Sequence, residues 1–306
     1  MEEYILKANK LSKKYKGEYV LKDVNLNIKR GDIYGFIGKN GAGKTTTIRI
    51  IEGLAKITSG TIEIFNKHSE IDLSKERKRI GSLIETPSFY EDMSAYDNME
   101  LLRLQKGIPG KNCIKEKLDI VGLKDVKNKK VKDFSLGMKQ KLGIAMALLG
   151  DPEFLILDEP TNGLDPMGIV QIRELLKKLN KEKGTTILIS SHLLSELYQL
   201  ATCYGIIHKG HLIEEISHEE LNEKCKKAIE IKVDDTKKAS WAIENILKTI
   251  NYKILPNKVI KIYDYLDKSG EISKALLNEG VEIYQMVIKS EDLEEYFMNL
   301  IGGDIC

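Results

Sequence analysis

The chain of 306 residues is poor in several things. Its four cysteines, Cys113, Cys203, Cys225 and Cys306, form no CxxC pair and show no metal-ligand spacing. That leaves no sign of a zinc ribbon or a disulfide framework and reads as reduced thiols in a cytosolic protein. No apolar run is long enough to cross a bilayer. Met1-Glu2-Glu3 lacks the basic and apolar parts of a signal peptide, so a membrane role is expected to fall to a partner. Net charge is only +2, and nothing global pulls the chain towards nucleic acid. Arginine is missing from the last third: residues 211–306 hold 13 Lys, no Arg and 19 Asp+Glu, a balance of −6. Residues 1–210 hold 35 Lys+Arg against 27 Asp+Glu, a balance of +8. The split predicts two units with different surfaces, and the length suits one large or two ordinary domains. The basic excess reads as a solvated Lys-rich face, with nucleotide phosphates or anionic lipid headgroups as functional alternatives.

The most informative stretch is Gly38-Lys39-Asn40-Gly41-Ala42-Gly43-Lys44-Thr45-Thr46. An apolar strand-like segment, Ile33 to Ile37, precedes it, and a helical pattern follows. Strand, glycine-rich loop, Lys-Thr and helix form the phosphate-binding loop of nucleoside triphosphatases. The three glycines let successive N–H groups turn towards one anion, and the helix adds its positive end. Lys44 brings a compact positive charge to the β- and γ-phosphates, and the Thr45 hydroxyl is a ligand for Mg²⁺.

Upstream, residues 4–9 and 19–28 alternate as half-buried strands do, with a turn at Lys16-Gly17-Glu18. Tyr15, just before that turn, is either an adenine-stacking aromatic or an ordinary surface tyrosine, and Tyr19 is a second candidate. Downstream, Arg77 to Ile84 reads as a strand ending at Glu85. Helical periodicity covers Ala95 to Ile120 with a break at Gly107-Ile108-Pro109-Gly110, and a further helix is expected over Lys141 to Leu149. Phe154-Leu155-Ile156-Leu157 followed by Asp158-Glu159 reads as a buried central strand with two acids at its C-terminal end, where open parallel sheets bind ligands. Asp158 can hold Mg²⁺ directly or through water, and Glu159 can act on an attacking water as general base. The bland alternative is a strand followed by an acidic turn. A second buried strand, Thr185 to Ser191, ends at His192, which is placed for a γ-phosphate or is structural.

In this order the motifs resemble the ATP-binding-cassette (ABC) ATPases over residues 4–210: Tyr15, Walker A Gly38 to Thr46, Glu85 at the Q-loop position, signature Ser135 to Met138, Walker B Phe154 to Asp158, Glu159, D-loop Asn162 to Asp165 and His192. The resemblance implies an α/β P-loop NTPase fold with a helical subdomain, ATP and Mg²⁺ as cofactors, and ATP hydrolysis. ATP would be held by Tyr15, Gly38, Asn40, Gly41, Ala42, Gly43, Lys44, Thr45 and Thr46; Mg²⁺ by Thr45, Glu85 and Asp158; catalysis by Glu159, His192 and Lys44. Two chains would meet head to tail, so that Ser135 and Gly137 of one touch the γ-phosphate on the other. Two positions depart from the family pattern. The signature reads Phe134-Ser135-Leu136-Gly137-Met138 where Leu-Ser-Gly-Gly-Gln is common, and Glu85 stands where glutamine is usual. Glu85 in its setting Gly81 to Tyr90, and the run Leu293 to Gly303, are similar to the ATPases of bacitracin-resistance and lantibiotic-immunity exporters. That implies a peripheral protein on the inner face of the cell membrane, a homodimer bound to separate permease subunits, with no nucleic-acid partner. Other cargoes, or a soluble cassette acting on ribosomes or nucleic acid, are the alternatives. The second of these normally carries two cassettes or a long inserted coiled coil.

The expected domains are the nucleotide-binding domain at 1–210, a connecting strand and helix at 211–227, and a small α+β domain at 228–306. The pattern in the last reads β-α-β-β-α-β, the ferredoxin-like order, with a final helix from Asp292 to Leu300. It shows no catalytic constellation and reads as a packing or dimer-supporting module.

Overall fold

The computed structural model describes residues 4–85, 87–225, 227–289 and 293–302. Thr86, Asp292, Gly303 and Cys306 lie outside them. The chain divides into two compact units, Met1–His218 and Glu219–Cys306.

The first unit begins with two long strands, β1 (Tyr4–Tyr15) and β2 (Glu18–Lys29), joined at Lys16-Gly17, both with positive φ. They pair antiparallel, and β4 (Ser59–Ile64) joins β1 on its other edge. Strand β3 (Ile33–Ile37) leads through the glycine-rich loop into helix α1 (Lys44–Ile51). Helix α2 (Glu70–Glu76), capped by Ser69, precedes β5 (Ile80–Leu83). Three helices follow: α3 (Ala95–Gln105), capped by Ser94, then α4 (Asn112–Ile120) and α5 (Leu136–Ala147). Strand β6 (Phe154–Asp158), helix α6 (Pro166–Lys183), strand β7 (Thr186–Ser191), short helix α7 (Leu194–Tyr198) and strands β8 (Cys203–His208) and β9 (His211–Ser217) complete it.

The second sheet has the order β5-β6-β7-β3-β8-β9. Its first five strands run parallel, and β9 returns antiparallel to β8. Every residue of β3, β6 and β7 is buried, as expected of strands covered on both faces. Ile48, Ile50 and Ile51 of α1 join Leu6, Leu26, Tyr34, Phe36, Ile156 and Leu188 in one apolar core that unites both sheets with the helix. The expected strand over 77–84 is shorter: Arg77–Arg79 form a 3-10 turn. There Arg77 Nε donates to the Ile51 carbonyl at 2.8 Å, satisfying the C-terminal end of α1. The helix expected from Lys141 starts five residues earlier, at Leu136, because Ser135 is its cap and accepts from Met138 N.

Helix α8 (His218–Lys224) leads into the second unit. Strand β10 (Ala228–Val233), helix α9 (Thr236–Asn245), strands β11 (Tyr252–Leu255) and β12 (Val259–Ile262), helix α10 (Ser269–Asn278) and strand β13 (Ile283–Lys289) follow, then helix α11 (Leu293–Gly302). The sheet is antiparallel with order β11-β12-β10-β13. Ile229, Ile231, Ile260 and Ile262 meet Ala239, Ala242, Ile243, Ile272 and Leu276 in a separate core.

Glu52, at the C-terminal end of α1, has its Oε1 sealed from solvent without a hydrogen-bond partner among the described residues. Burial pushes its carboxyl up to about 7, against the opposing pull of Ser82, Arg77 and Lys106. The folded chain therefore holds a proton there that the unfolded chain has lost, and stability falls as pH rises from the ordinary carboxylate range through 7. Glu52→Gln is expected to stabilise the protein at pH 8 by on the order of 2 kcal/mol, allowing for partial exposure, and to leave it unchanged near pH 4. Urea unfolding at the two pH values checks this.

Candidate nucleotide-binding site

Four neighbouring parallel strands end at one edge of the sheet. β5 runs into Glu85, β6 ends in Asp158 and Glu159, β7 runs into His192, and β3 runs into the glycine-rich loop. These C-terminal ends bring together residues that lie far apart in sequence. A cleft of about 610 Å³ lies there, lined by Asn40, Gly41, Gly43, Lys44, Thr45, Thr46, Glu85, Asp158 and Glu159, and also by Val20, Leu136, Gln140 and Asn162.

The loop's shape follows from its glycines. Gly41 and Gly43 take φ of 80° and 115°, a region that L side chains avoid. A Cβ on Gly43 would sit 2.5 Å from Leu21 Cδ2, and one on Gly38 would sit 2.5 Å from the Ile207 carbonyl. Gly43 is also the N-cap of α1 and brings no side chain to the first-turn N–H groups. An anion can occupy that end. Lys44 folds back under the loop, 5% exposed, and donates to the Gly38 carbonyl at 2.5 Å.

The acids are held tightly. Asp158 is 2% exposed and accepts from Thr45 Oγ1 at 2.8 Å and from Ser190 Oγ at 2.5 Å. Glu159 adopts φ of 50°, uncommon for a non-glycine residue, and its N–H donates to Ser190 Oγ at 3.0 Å. Its carboxylate spans two partners, with Oε1 3.1 Å from Lys44 Nζ and Oε2 2.7 Å from His192 Nδ1. The hydroxyl of Thr45 and the carboxylate of Asp158 are hard oxygen donors in contact, a set suited to Mg²⁺, which takes few protein ligands beside phosphate and water.

Other expected site residues lie apart. Glu85 lines the cleft, also with positive φ (59°), but its carboxylate is paired with Arg49 at 2.6 Å rather than with Thr45 or Asp158. Ser135, Gly137 and Met138 line a second hollow with Leu164, Asp165 and Gln171. Tyr15 is 45% exposed at the end of β1, with Lys13 Nζ 4.7 Å from its ring centre, and does not line the cleft. Tyr19, also exposed, lies under Lys14. Ala42 is buried beneath the loop. Gln140 and Val20 were not legible as site residues. Gln140 is 6% exposed, and its Oε1 has no hydrogen-bond partner among the described residues. Its only sequence signal is a position two residues after the signature. Cys113, Cys203 and Cys225 are in no disulfide among the described residues, and burial pushes the Cys203 thiol up.

Fold and site together define a P-loop ATPase domain. The sequence profile of the ABC transporter family matches residues 21–162. The bacitracin transport ATP-binding protein BcrA of Bacillus licheniformis is 45% identical over 299 residues, 98% of each chain. The lantibiotic transport ATP-binding protein SrtF of Streptococcus pyogenes is 47% identical over 212 residues, 69% of this chain and 90% of its own. Among solved structures, the dimeric post-hydrolysis state of the ATP-binding cassette MJ0796 with ADP and Pi superposes with a TM-score of 0.63 at 30% identity, covering 70% of this chain and 98% of that one. The chain belongs to the ATP-binding subunits of the ABC transporters.

Because Glu159 Oε1 lies 3.1 Å from Lys44 Nζ and would compete with a phosphate for that charge, the two residues should shift nucleotide affinity in opposite directions. Lys44→Ala should weaken ATP binding about 10- to 100-fold, the value of a lost charge-assisted contact. Glu159→Gln should tighten it by roughly tenfold, since the competing carboxylate is gone. Titration calorimetry reads both signs.

Proposed function

We propose that this chain is the ATP-hydrolysing subunit of an exporter that protects cells from a membrane-active peptide antibiotic of the bacitracin or lantibiotic type. It would work as a pair of chains on the cytoplasmic face, docked on separate membrane subunits. The observation that carries the cargo reading is the match to BcrA, which runs through both units rather than the cassette alone. SrtF, over 69% of this chain, supports the same class. No helix of the described residues is long and apolar enough to cross a membrane, so passage across it is assigned to a partner. We take residues 1–210 as the nucleotide-binding domain, 211–227 as the connection and 228–306 as a ferredoxin-like accessory domain, in keeping with its sheet order.

The geometry of the cleft supports the following assignment of roles. The loop amides and Lys44 hold the β- and γ-phosphates, and Lys44 already stands next to Glu159. Tyr15, exposed at the end of β1 and outside the lining of the cleft, is the candidate to stack on the adenine. Thr45 and Asp158 would hold Mg²⁺, with Glu85 as a further candidate ligand, and the ion would supply positive charge against the phosphates. Glu159 takes a proton from the attacking water, and His192 fixes the direction of that carboxylate through its 2.7 Å contact. Ser135 and Gly137 complete the partner chain's site. Membrane subunits dock beside Glu85 to Asn98, where Tyr90 is 60% exposed.

Glu159→Gln should lower hydrolysis by roughly 10²- to 10³-fold and leave an ATP-bound dimer that survives gel filtration. Normal turnover would remove Glu159 from the role of base. Cells carrying this chain with its neighbouring membrane genes should resist bacitracin or a lantibiotic, and resistance should vanish with Lys44→Ala. Protection against unrelated drugs alone would favour the other reading, an exporter of different cargo.

A further inference from the structure

We infer that Gln140 is a further residue of the hydrolytic site, its side-chain amide holding the attacking water for Glu159, an inference that rests on Glu159 as the base. Three of the polar side chains that line the nucleotide cleft are buried: Lys44, Asp158 and Gln140. Lys44 donates to the Gly38 carbonyl and lies 3.1 Å from Glu159 Oε1. Asp158 accepts from Thr45 and Ser190. Gln140 alone of the three has an atom, Oε1, with no hydrogen-bond partner among the described residues. A buried amide oxygen without a donor is uncommon and costs stability, so a donor that arrives with the nucleotide is its natural complement.

The place of Gln140 on α5 fits that task. Ser135 caps the helix, and Gly143, three residues beyond Gln140, lies close to the end of β5: a Cβ there would sit 3.1 Å from Leu83 Cδ1 and from Pro87 Cβ. Residues three apart share a helix face, so the face that carries Gln140 is packed on the segment around Glu85. The amide reaches the cleft from a packed helix rather than from a loop. The carboxylates nearby are already engaged. Both oxygens of Glu159 have partners, Lys44 and His192, and Glu85 is paired with Arg49. A base held in this way can take a proton but needs a second group to fix the water that gives it. An amide suits that role because it is neutral and adds no negative charge beside three acids and the phosphates. It also offers an acceptor and donors to one water. No bond at Oε1 holds the amide against turning that oxygen to the water. In the step, one O–H of the water gives its proton to Glu159 and the other donates to Gln140 Oε1. The water oxygen bonds to the γ-phosphorus as the bond from that phosphorus to the β–γ bridging oxygen breaks. ADP keeps the electron pair, and inorganic phosphate is the other product.

The test compares the full chain with its Gln140→Leu variant, close in size and without the amide. Hydrolysis at saturating ATP should fall roughly 10- to 100-fold, with ATP affinity unchanged by titration calorimetry. The melting temperature of the nucleotide-free chain should rise by about 2–4 °C, since the unmet buried oxygen is gone. A lower melting temperature would mean that the amide has a structural partner and would overturn the proposal. A loss of affinity that matches the loss of rate would overturn it in favour of a contact to phosphate. A double-mutant cycle adds a readout that a structural role would not move. If both residues act on one water, Gln140→Leu should leave the residual single-turnover rate of the Glu159→Gln chain unchanged. An equal fall in both backgrounds would overturn the shared water. Normal turnover of Glu159→Gln by itself is the failure of the base assignment; a slow Glu159→Gln beside a fully active Gln140→Leu is the failure of this inference alone.

Discussion

Glu159 is the point on which the nucleotide site turns. One carboxylate faces a lysine with one oxygen and a histidine with the other. Its backbone is held in a left-handed conformation by a serine from the next strand. None of these partners is near it in sequence. They meet because β6, β7 and β3 lie side by side in parallel register, Asp158 opposite Ser190 and Ile37 opposite Ser191. A slip of one residue in either pairing would turn the acids to the wrong face of the sheet. The buried aliphatic strands and the core around α1 thus serve as the alignment device for a few polar groups.

Much of this was legible in the chain. Glycine spacing and Lys-Thr mark the loop because few other chemistries need that backbone. Four aliphatic residues followed by two acids mark β6, since a strand buried on both faces has no polar alternation. What stayed hidden depends on packing. Nothing local announces that Gln140 lines the cleft, because a helical glutamine is ordinarily solvated. The pairing of Glu85 with Arg49 depends on where α1 and β5 end, a tertiary matter. α5 starts at Leu136 rather than at the expected Lys141, although Ser135 is a good cap by composition alone.

The second unit was readable for a different reason. Its strands and helices are short and its apolar residues keep their periods, so element order could be traced without a motif. Sheet order could not, since β10 sits between β12 and β13, neither adjacent to it in sequence. That central place for the first strand puts the last strand on the rim.

The capping of α5 by Ser135 has a consequence for direction. The hydroxyl oxygen already receives the Met138 N–H, which uses one of its two lone pairs and leaves the O–H to donate. The helix start therefore offers a donor at the signature. A group that approaches with oxygen lone pairs is matched by it. Threonine would keep that donor. Alanine would lose both the cap and the donor, so an effect on helix stability and an effect on anion contact would arrive together from a single atom.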